Sequence, residues 1–275
     1  LVDAENAAAV IDAWLDVVST GPVPRFWALG NLNLDGAVKR LIDEAVEARG
    51  LTTATVLPYE RPHLTRQPGG FDAHCTQTIA KSRLKDIQRN LRRLQEMGEV
   101  AFERATDPAL VRERLERYLA MEHSGWKGEN GTAFLSEADE AAFARLAFGG
   151  SAEAEGLASI DSLLLDGRPI AISINIAGGT TAFTAKCTYD ESLRKQSPGL
   201  VLEYLVIERF YADEAFSDMD ASTTTGGHIV QGFWNDRKRM GRVIVGPKGW
   251  RTHFIAAVWT AAHHGRKRLR TLFRR

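Results

Sequence analysis

A few short stretches of this chain carry side chains able to move protons or hold charge. Glu122-His123 stands just ahead of Trp126-Lys127; Lys186 is followed by Tyr189-Asp190-Glu191; and His228 follows Gly226-Gly227, shortly before Trp234. An imidazole titrates near neutrality, and the paired glycines free the backbone around it, so His228 is the first candidate for proton transfer. Glu122, Asp190 and Tyr189 are the further catalytic candidates. Between these groups, Ser197-Pro198-Gly199 opens the apolar run LVLEYLVIERF. A proline there sits at the first position of a helix, where its missing N–H costs nothing. The turn from Ser197 and Pro198 through Gly199 to Leu200, with exposed N–H groups on its residues other than the proline and the positive end of the helix dipole, suits a phosphate or pyrophosphate.

The elements that must position these groups read as strands feeding a helix. SLLLD (162–166) turns at Gly167-Arg168 and returns as the β-branched run PIAISINIA (169–177). A second reversal at Gly178-Gly179 gives TTAFTAKCTYD (180–190), the polar stretch ESLRKQ, and then a helix over 199–213. Upstream, helical spacing over 6–18 is followed by a strand at RFWALGNL. A helix N-capped by Asp35 then ends at Gly50, and a further strand follows at TTATVLPY. Lys81 to Arg93 is an amphipathic basic helix: a solvated face, or alternatively a surface for a phosphate-rich substrate. VAFER is a strand, and Asp107-Pro108 starts a helix running to Glu122. WKGENG reads as a loop whose Trp126 and Lys127 either form a second candidate cluster with Glu122 and His123 or make a packed turn in which Trp126 plugs the core and Lys127 is solvated. Ser136 caps a helix ending near Gly150. SDMDASTTT alternates like a strand, IVQGFWNDRKRM reads as a short helix, RVIVGPKG as a last strand, and 251–275 as a closing helix with a basic end.

Composition narrows the classes. With 44% hydrophobic and 25% charged residues in 275, the chain is an ordinary globular sequence able to bury a large core. Thirty-five basic and 35 acidic residues cancel, so a nucleic-acid role needs a local patch. Cys75 and Cys187 lack C-x-x-C spacing and a histidine cluster, which argues against structural metal or disulfides and fits a reducing cytoplasm. Cys187, in mid-strand, reads as a small buried residue. No apolar run reaches the ~20 residues of a membrane span, and the acidic start is unlike a signal peptide. The expected location is cytoplasmic, without stable membrane insertion.

The run AKCTYDESLRKQSPGLVLEYLVIE, with EHSGWKGENGTAF upstream and GGHIVQGFW downstream, resembles the GNAT-fold acyltransferases. It is most similar to their FemAB-related branch, which includes acetyltransferase-like proteins linked to bacterial cellulose synthesis. The matching positions are Lys186, Tyr189, Asp190 and Glu191 before the loop, and Ser197, Pro198, Gly199 and Leu202 at the helix start. The resemblance implies a mixed, mostly antiparallel α/β (α+β) sheet flanked by helices. Its expected divisions are a partial first lobe over 1–70, an acyltransferase domain over 71–250 and a basic C-terminal helix over 251–275.

It also implies N-acyl transfer by direct attack of an amine or hydroxyl on an acyl-CoA, acetyl-CoA first among them, with no metal. Lys186 and Gln196 then join the 197–200 turn in holding the donor, and Trp126, Lys127, Glu191 and Trp234 line the acceptor side. The general pyrophosphate loop of the fold, R/Q-x-x-G-x-G/A, is represented here by Arg194, Gln196 and a single glycine, Gly199. Two alternatives therefore stand beside acyl-CoA transfer. One is an aminoacyl-tRNA-dependent transferase acting on a cell-wall precursor or an anionic lipid-linked substrate; the other is a non-catalytic scaffold in polysaccharide synthesis.

Overall fold

The computed structural model describes residues 5–20, 26–151, 154, 156–223 and 230–272. The chain begins with α1 (Ala7–Thr20), β1 (Trp27–Asn33), α2 (Ala37–Ala48), β2 (Leu51–Thr65), α3 (Gly70–Thr78) and α4 (Lys81–Gln95). It continues through β3 (Val100–Ala105), α5 (Pro108–Ser124), the one-turn α6 (Trp126–Glu129), α7 (Ala138–Ala144), β4 (Ala158–Leu165), β5 (Arg168–Gly178) and β6 (Thr181–Tyr189). It closes with α8 (Pro198–Ala212), β7 (Asp218–Asp220), β8 (Asp236–Pro247) and α9 (Trp250–Leu272). Two compact units share these elements: 1–61 with 237–275, and 62–236. The smaller unit thus draws on both chain ends, and its limits fall at Arg61 and Arg237 rather than at 70 and 250. The closing helix belongs with it, because Ala256 of α9 packs on Ala54, Val56 and Ile244.

In the smaller unit β1 runs antiparallel to β8, from Trp27↔Val245 to Asn33↔Met240, with an irregularity between Leu29 and Leu32. Ile11 and Leu15 of α1 meet Ile42 and Val46 of α2 over Val243 and Val245. Arg49 fastens the two helices by ion pairs to Asp12 and Asp16, both 2.7 Å.

In the larger unit the end of β2 pairs with β7, and the order continues β6, β5, β4, β3. Every pairing is antiparallel except β6 with β7. This is a mixed, mostly antiparallel sheet, as expected. Helices cover both faces, which is why β4 and β5 read as near-continuous apolar runs. Leu163, Ile170 and Ala171 join α4 and α8 on one side, while Ile160, Ile172 and Ile174 join α5 on the other. Each fully buried isoleucine contributes about 2 kcal/mol of transfer free energy. Arg66 donates to the Phe210 carbonyl (2.7 Å) and the Phe216 carbonyl (2.9 Å), placing a cation at the C-terminal end of α8.

Several local expectations are corrected. Gly36 rather than Asp35 is the N-cap of α2, and Asp35 instead accepts from Arg239 at 3.0 Å. Asp107 does cap α5, accepting from the Ala109 and Leu110 amides at 3.0 Å. The WKGENG segment contains α6 rather than only loop. Ser136 closes a 3₁₀ turn (Phe134–Ser136) and Glu137 is the N-cap of α7, leaving the Ser136 hydroxyl buried without a partner. β7 is only three residues long. Residues 230–240 contain no helix: 230–233 form a turn in which Gly232 takes φ 78°, and β8 has already begun at Asp236. The segment 224–229, which holds Gly226, Gly227 and His228, lies outside the described residues.

Candidate functional site

β6 pairs with β5 along its length, but with β7 only from Thr181↔Asp218 to Phe183↔Asp220. Its register against β5 then shifts, Asn175 facing Thr184 and Ile174 facing Lys186, so that Ala185 bulges. Bulges re-aim side chains and end pairing. Past this one, Ala185 to Tyr189 run along a cavity of about 650 Å³, which α5, α6 and the first turns of α8 also line. A shallower groove in the smaller unit, between β2 and α9, is walled mostly by alanine and threonine with His253 and His264, and holds no carboxylate.

The approach to α8 is built by its own polar residues. Asp190 accepts from the Ser192 amide (3.0 Å) and hydroxyl (2.6 Å) and pairs with Arg168 at 3.1 Å, opening the 3₁₀ turn Glu191–Gln196. Burial pushes the Asp190 carboxyl up, but Ser192 and Arg168 outweigh it and hold it below the usual range. Ser197 then adopts the left-handed conformation (φ 47°) and Pro198 begins the helix. The amides around this turn are mostly claimed: that of Ser197 by the Arg194 carbonyl (3.2 Å), those of Leu200 and Val201 by the Ser197 carbonyl (2.9 and 3.2 Å). Proline has none. Gly199, whose residue lines the cavity, is left to offer its N–H and the helix dipole.

Two buried glutamates face this cavity. Glu122, 2% exposed, ends α5 and is surrounded by donors: Lys127 Nζ at 2.7 Å and the Tyr118 hydroxyl at 2.8 Å on Oε1, and the Phe134 amide at 3.0 Å on Oε2. Burial alone would raise its pKa; the lysine, the amide and the phenol outweigh burial and hold it low, so Glu122 is ionised. Lys127 also donates to the Cys187 carbonyl at 3.3 Å, tying α6 to the open edge of β6. Glu203, on the second turn of α8, accepts a single bond from the described residues, from Trp234 Nε1 at 2.7 Å. Burial dominates there, the nearby Asp161 adds to it, and the carboxyl is pushed up to about 7. Asp161 is itself fully buried, gripped by Arg104 at 2.7 Å and by Asn175 at 3.0 Å. Cys187 is open to the cavity rather than buried, yet the protein around it pushes its thiol up, so it stays protonated at neutral pH.

The cavity gathers Glu122, Trp126, Lys127, Lys186, Tyr189, Glu191 and Gly199 from the sequence candidates. Lys186 and Tyr189 both line it although they stand three apart, because the cavity meets the edge of the strand and both faces contribute. Trp126 is not a core plug, being 53% exposed, and its amide donates to Glu191 at 2.9 Å. Lys127 is held by Glu122 rather than free in solvent. Asp190 is turned to Arg168 and Ser192. Pro198 is buried, Leu200 packs on the core, and neither they nor Gln196 and Ser197 line the cavity. Trp234 is buried behind Glu203. Glu203, Cys187 and Ser173 were missed. Glu203 had a signal, a carboxylate set within the apolar stretch Leu200–Ile207 of α8.

A family model described as an acetyltransferase (GNAT) domain matches residues 81–227. No curated protein sequence matches the chain. Among solved structures the chain is similar to FemX at 10% identity and TM-score 0.58, covering 87% of this chain and 76% of that one. It is similar to L-PGS from Bacillus licheniformis at 12% identity and TM-score 0.51, covering 94% and 79%. It also resembles a conserved protein of unknown function from Bacteroides thetaiotaomicron at 11% identity and TM-score 0.56, covering 88% and 75%. At these identities the likeness is one of fold.

Proposed function

The chain belongs to the GNAT acetyltransferase-domain family, and from that premise we propose that the cavity beside β6 joins an acyl-CoA, acetyl-CoA in the first instance, to an amine or hydroxyl acceptor. One observation carries the reading. The edge of β6 released at Phe183 and the N-terminal turns of α8 open onto the same cavity, with one ionised and one titrating glutamate on its walls. A strand edge can align an extended donor, and the helix start suits its phosphates. Arg194 and Lys195, exposed just before α8, add positive charge there.

In this mechanism the acceptor nitrogen bonds to the acyl carbon, the C–S bond breaks, and the thiolate leaves and takes up the proton that the base has received from the amine, which regenerates the base. The proton released by the attacking amine goes to Glu203, whose pKa suits a base at neutral pH. Glu122 keeps its charge throughout and fixes Lys127 against β6. His228 is the other candidate for the same proton; Thr223, which leads toward its segment, lines the cavity. As acceptor we favour the amines or hydroxyls of cell-envelope saccharides.

A second reading, aminoacyl-tRNA as donor, is favoured by the scarcity of unclaimed amides at the start of α8 and by the exposed Lys81, Lys85, Arg92 and Arg93 of α4. The fold of FemX and L-PGS accommodates this reading equally well. Thermal shift separates the two, because a ligand that binds only the folded chain raises its melting temperature. Acetyl-CoA and longer acyl-CoAs should raise it. Gly199→Val, which puts two methyls beside the cavity on a helical backbone, should weaken that binding about tenfold, or about 1.4 kcal/mol. A shift with aminoacyl-tRNA alone would establish the second reading, and unchanged acyl-CoA affinity in a folded Gly199→Val chain would remove the proposed donor site.

A further inference from the structure

The helix α9 is apolar on two sides. One side, with Thr252 0% and Ala256 6% exposed, packs on β2 and β8 of its own unit. The other carries Trp250, Phe254 and Val258, which are 70%, 59% and 51% exposed. At about 100° per residue these three fall within one narrow arc, and the exposed Ala257 and Ala261 lie in the same sector. Trp250 and Phe254 meet edge to face at 5.9 Å, so the stripe is pre-arranged rather than scattered. The first of these sides lies in the core of its unit, and the second is an apolar patch left on the surface.

Charge around that face is one-sided. From Arg237 to Arg275 the sequence has 12 lysines and arginines and no aspartate or glutamate, although the whole chain balances 35 against 35. Lys248 and Arg251 flank Trp250 and are exposed, as is Arg266 further along α9. An aromatic and aliphatic stripe on a segment whose charged side chains are all cations matches the surface of an anionic bilayer. There the rings enter the headgroup layer while the cations meet lipid phosphates. A second copy would set like charges against each other. A nucleic acid would use the cations but leave Val258 and the alanines without purpose. No helix among the described residues is long and apolar enough to cross a membrane, so the contact is a surface one.

We propose that α9 is a peripheral docking surface for an anionic lipid bilayer, entered by Trp250, Phe254 and Val258 and held by the flanking cations. The proposal does not depend on the chemistry assigned to the cavity. Its test is co-sedimentation of the full chain with phosphatidylcholine vesicles, with and without phosphatidylglycerol, at low and high salt. Binding should require phosphatidylglycerol and fall with salt. Trp250→Ala with Phe254→Ala should lower vesicle affinity by about tenfold or more, and Lys248→Glu with Arg251→Glu should do so independently. Both pairs are exposed, so circular dichroism and melting temperature should stay unchanged. Equal binding to neutral vesicles, no binding, or variants that bind like the wild type would overturn the proposal. So would an aromatic pair that loses affinity for total tRNA but not for vesicles, or one that dissociates a dimer seen by analytical ultracentrifugation.

Discussion

Glu122 and Glu203 are both buried glutamates on the same cavity, and they have opposite electrostatic fates. On the α5–α6 wall, Glu122 has three donors, one of them the Lys127 ammonium, and its carboxyl is held below the usual range. On the α8 wall, Glu203 has one indole donor among the described residues, and burial with a buried aspartate nearby pushes it up to about 7. Burial is the largest influence on both. The difference is made by how many donors the fold supplies to the charged form. A carboxylate that is always ionised can fix other groups but cannot take up a proton at neutral pH. One that titrates at neutrality can, and the contrast assigns a scaffold role to the first and a proton-accepting role to the second.

Glu203→Gln tests that contrast most severely. Glutamine keeps the bond from Trp234 and cannot accept the amine proton, so kcat should fall by about 10²-fold or more with donor affinity little changed. In the wild type kcat should decline as pH falls below about 7, since the base is then protonated, and the variant should lack that limb. A stability measurement needs no substrate. The folded pKa of Glu203 is raised from 4.5 to about 7, so its contribution is fully present below 4.5 and is lost as pH climbs to 7. Glutamine avoids that loss, and the stability gap in favour of the variant should open over this window to about 3 kcal/mol at most. A variant with normal turnover and an intact acid limb would pass the proton to His228.

Lys127→Met attacks the other wall and should act on stability first. It strands an ionised Glu122, 2% exposed, at a cost of about 3 kcal/mol. The sign with pH is opposite to that of Glu203. A carboxyl whose folded pKa is lowered stabilises above its unfolded pKa and loses that contribution as pH falls through the folded value. The variant's deficit in melting temperature should therefore be full at neutral pH and shrink in acid. A deficit that does not change with pH would mean that packing of the lysine stem, not the charge pair, is what matters.

How much of this could be read beforehand divides along the same lines. The hairpins of β4 to β6, the Ser-Pro-Gly entry to α8 and the Asp107 cap are local patterns with local causes, and the sequence shows them directly. Asp35, Ser136 and the 230–240 segment failed because a polar residue near a boundary does not say which residue turns the chain, and Gly232 breaks what periodicity suggested. Glu122 and Lys127 are five apart, close enough to be grouped by eye. The Glu203 pKa is raised by burial first and by Asp161 on β4 second, against the opposing bond from Trp234, 31 residues away, so only the assembled fold shows why its proton is held. Cys187 was expected to be buried because mid-strand positions usually are. The loss of β7 as a neighbour beyond Phe183 opens that edge, and no spacing rule reports a strand that ends early.

The smallest expected effect is also the most discriminating. Trp234 is 3% exposed and supplies the only bond Glu203 accepts among the described residues, at 2.7 Å. Trp234→Phe retains most of the aromatic bulk and removes that donor, and losing it disfavours the charged carboxylate, so the Glu203 pKa should rise further. The acid limb of kcat should then move about one unit toward alkaline pH. Turnover at pH 7 should fall only a few-fold and return as pH is raised. If the indole merely packs behind α8, kcat will instead drop by the same factor at every pH, because a cavity does not titrate. If His228 takes the proton, the limb will stay where it is while Glu203→Gln still alters the pH dependence of stability. An alkaline displacement in Trp234→Phe, together with its absence in Lys127→Met, ties the working proton to the α8 wall and leaves Glu122 as the fixed charge that holds the opposite side in place.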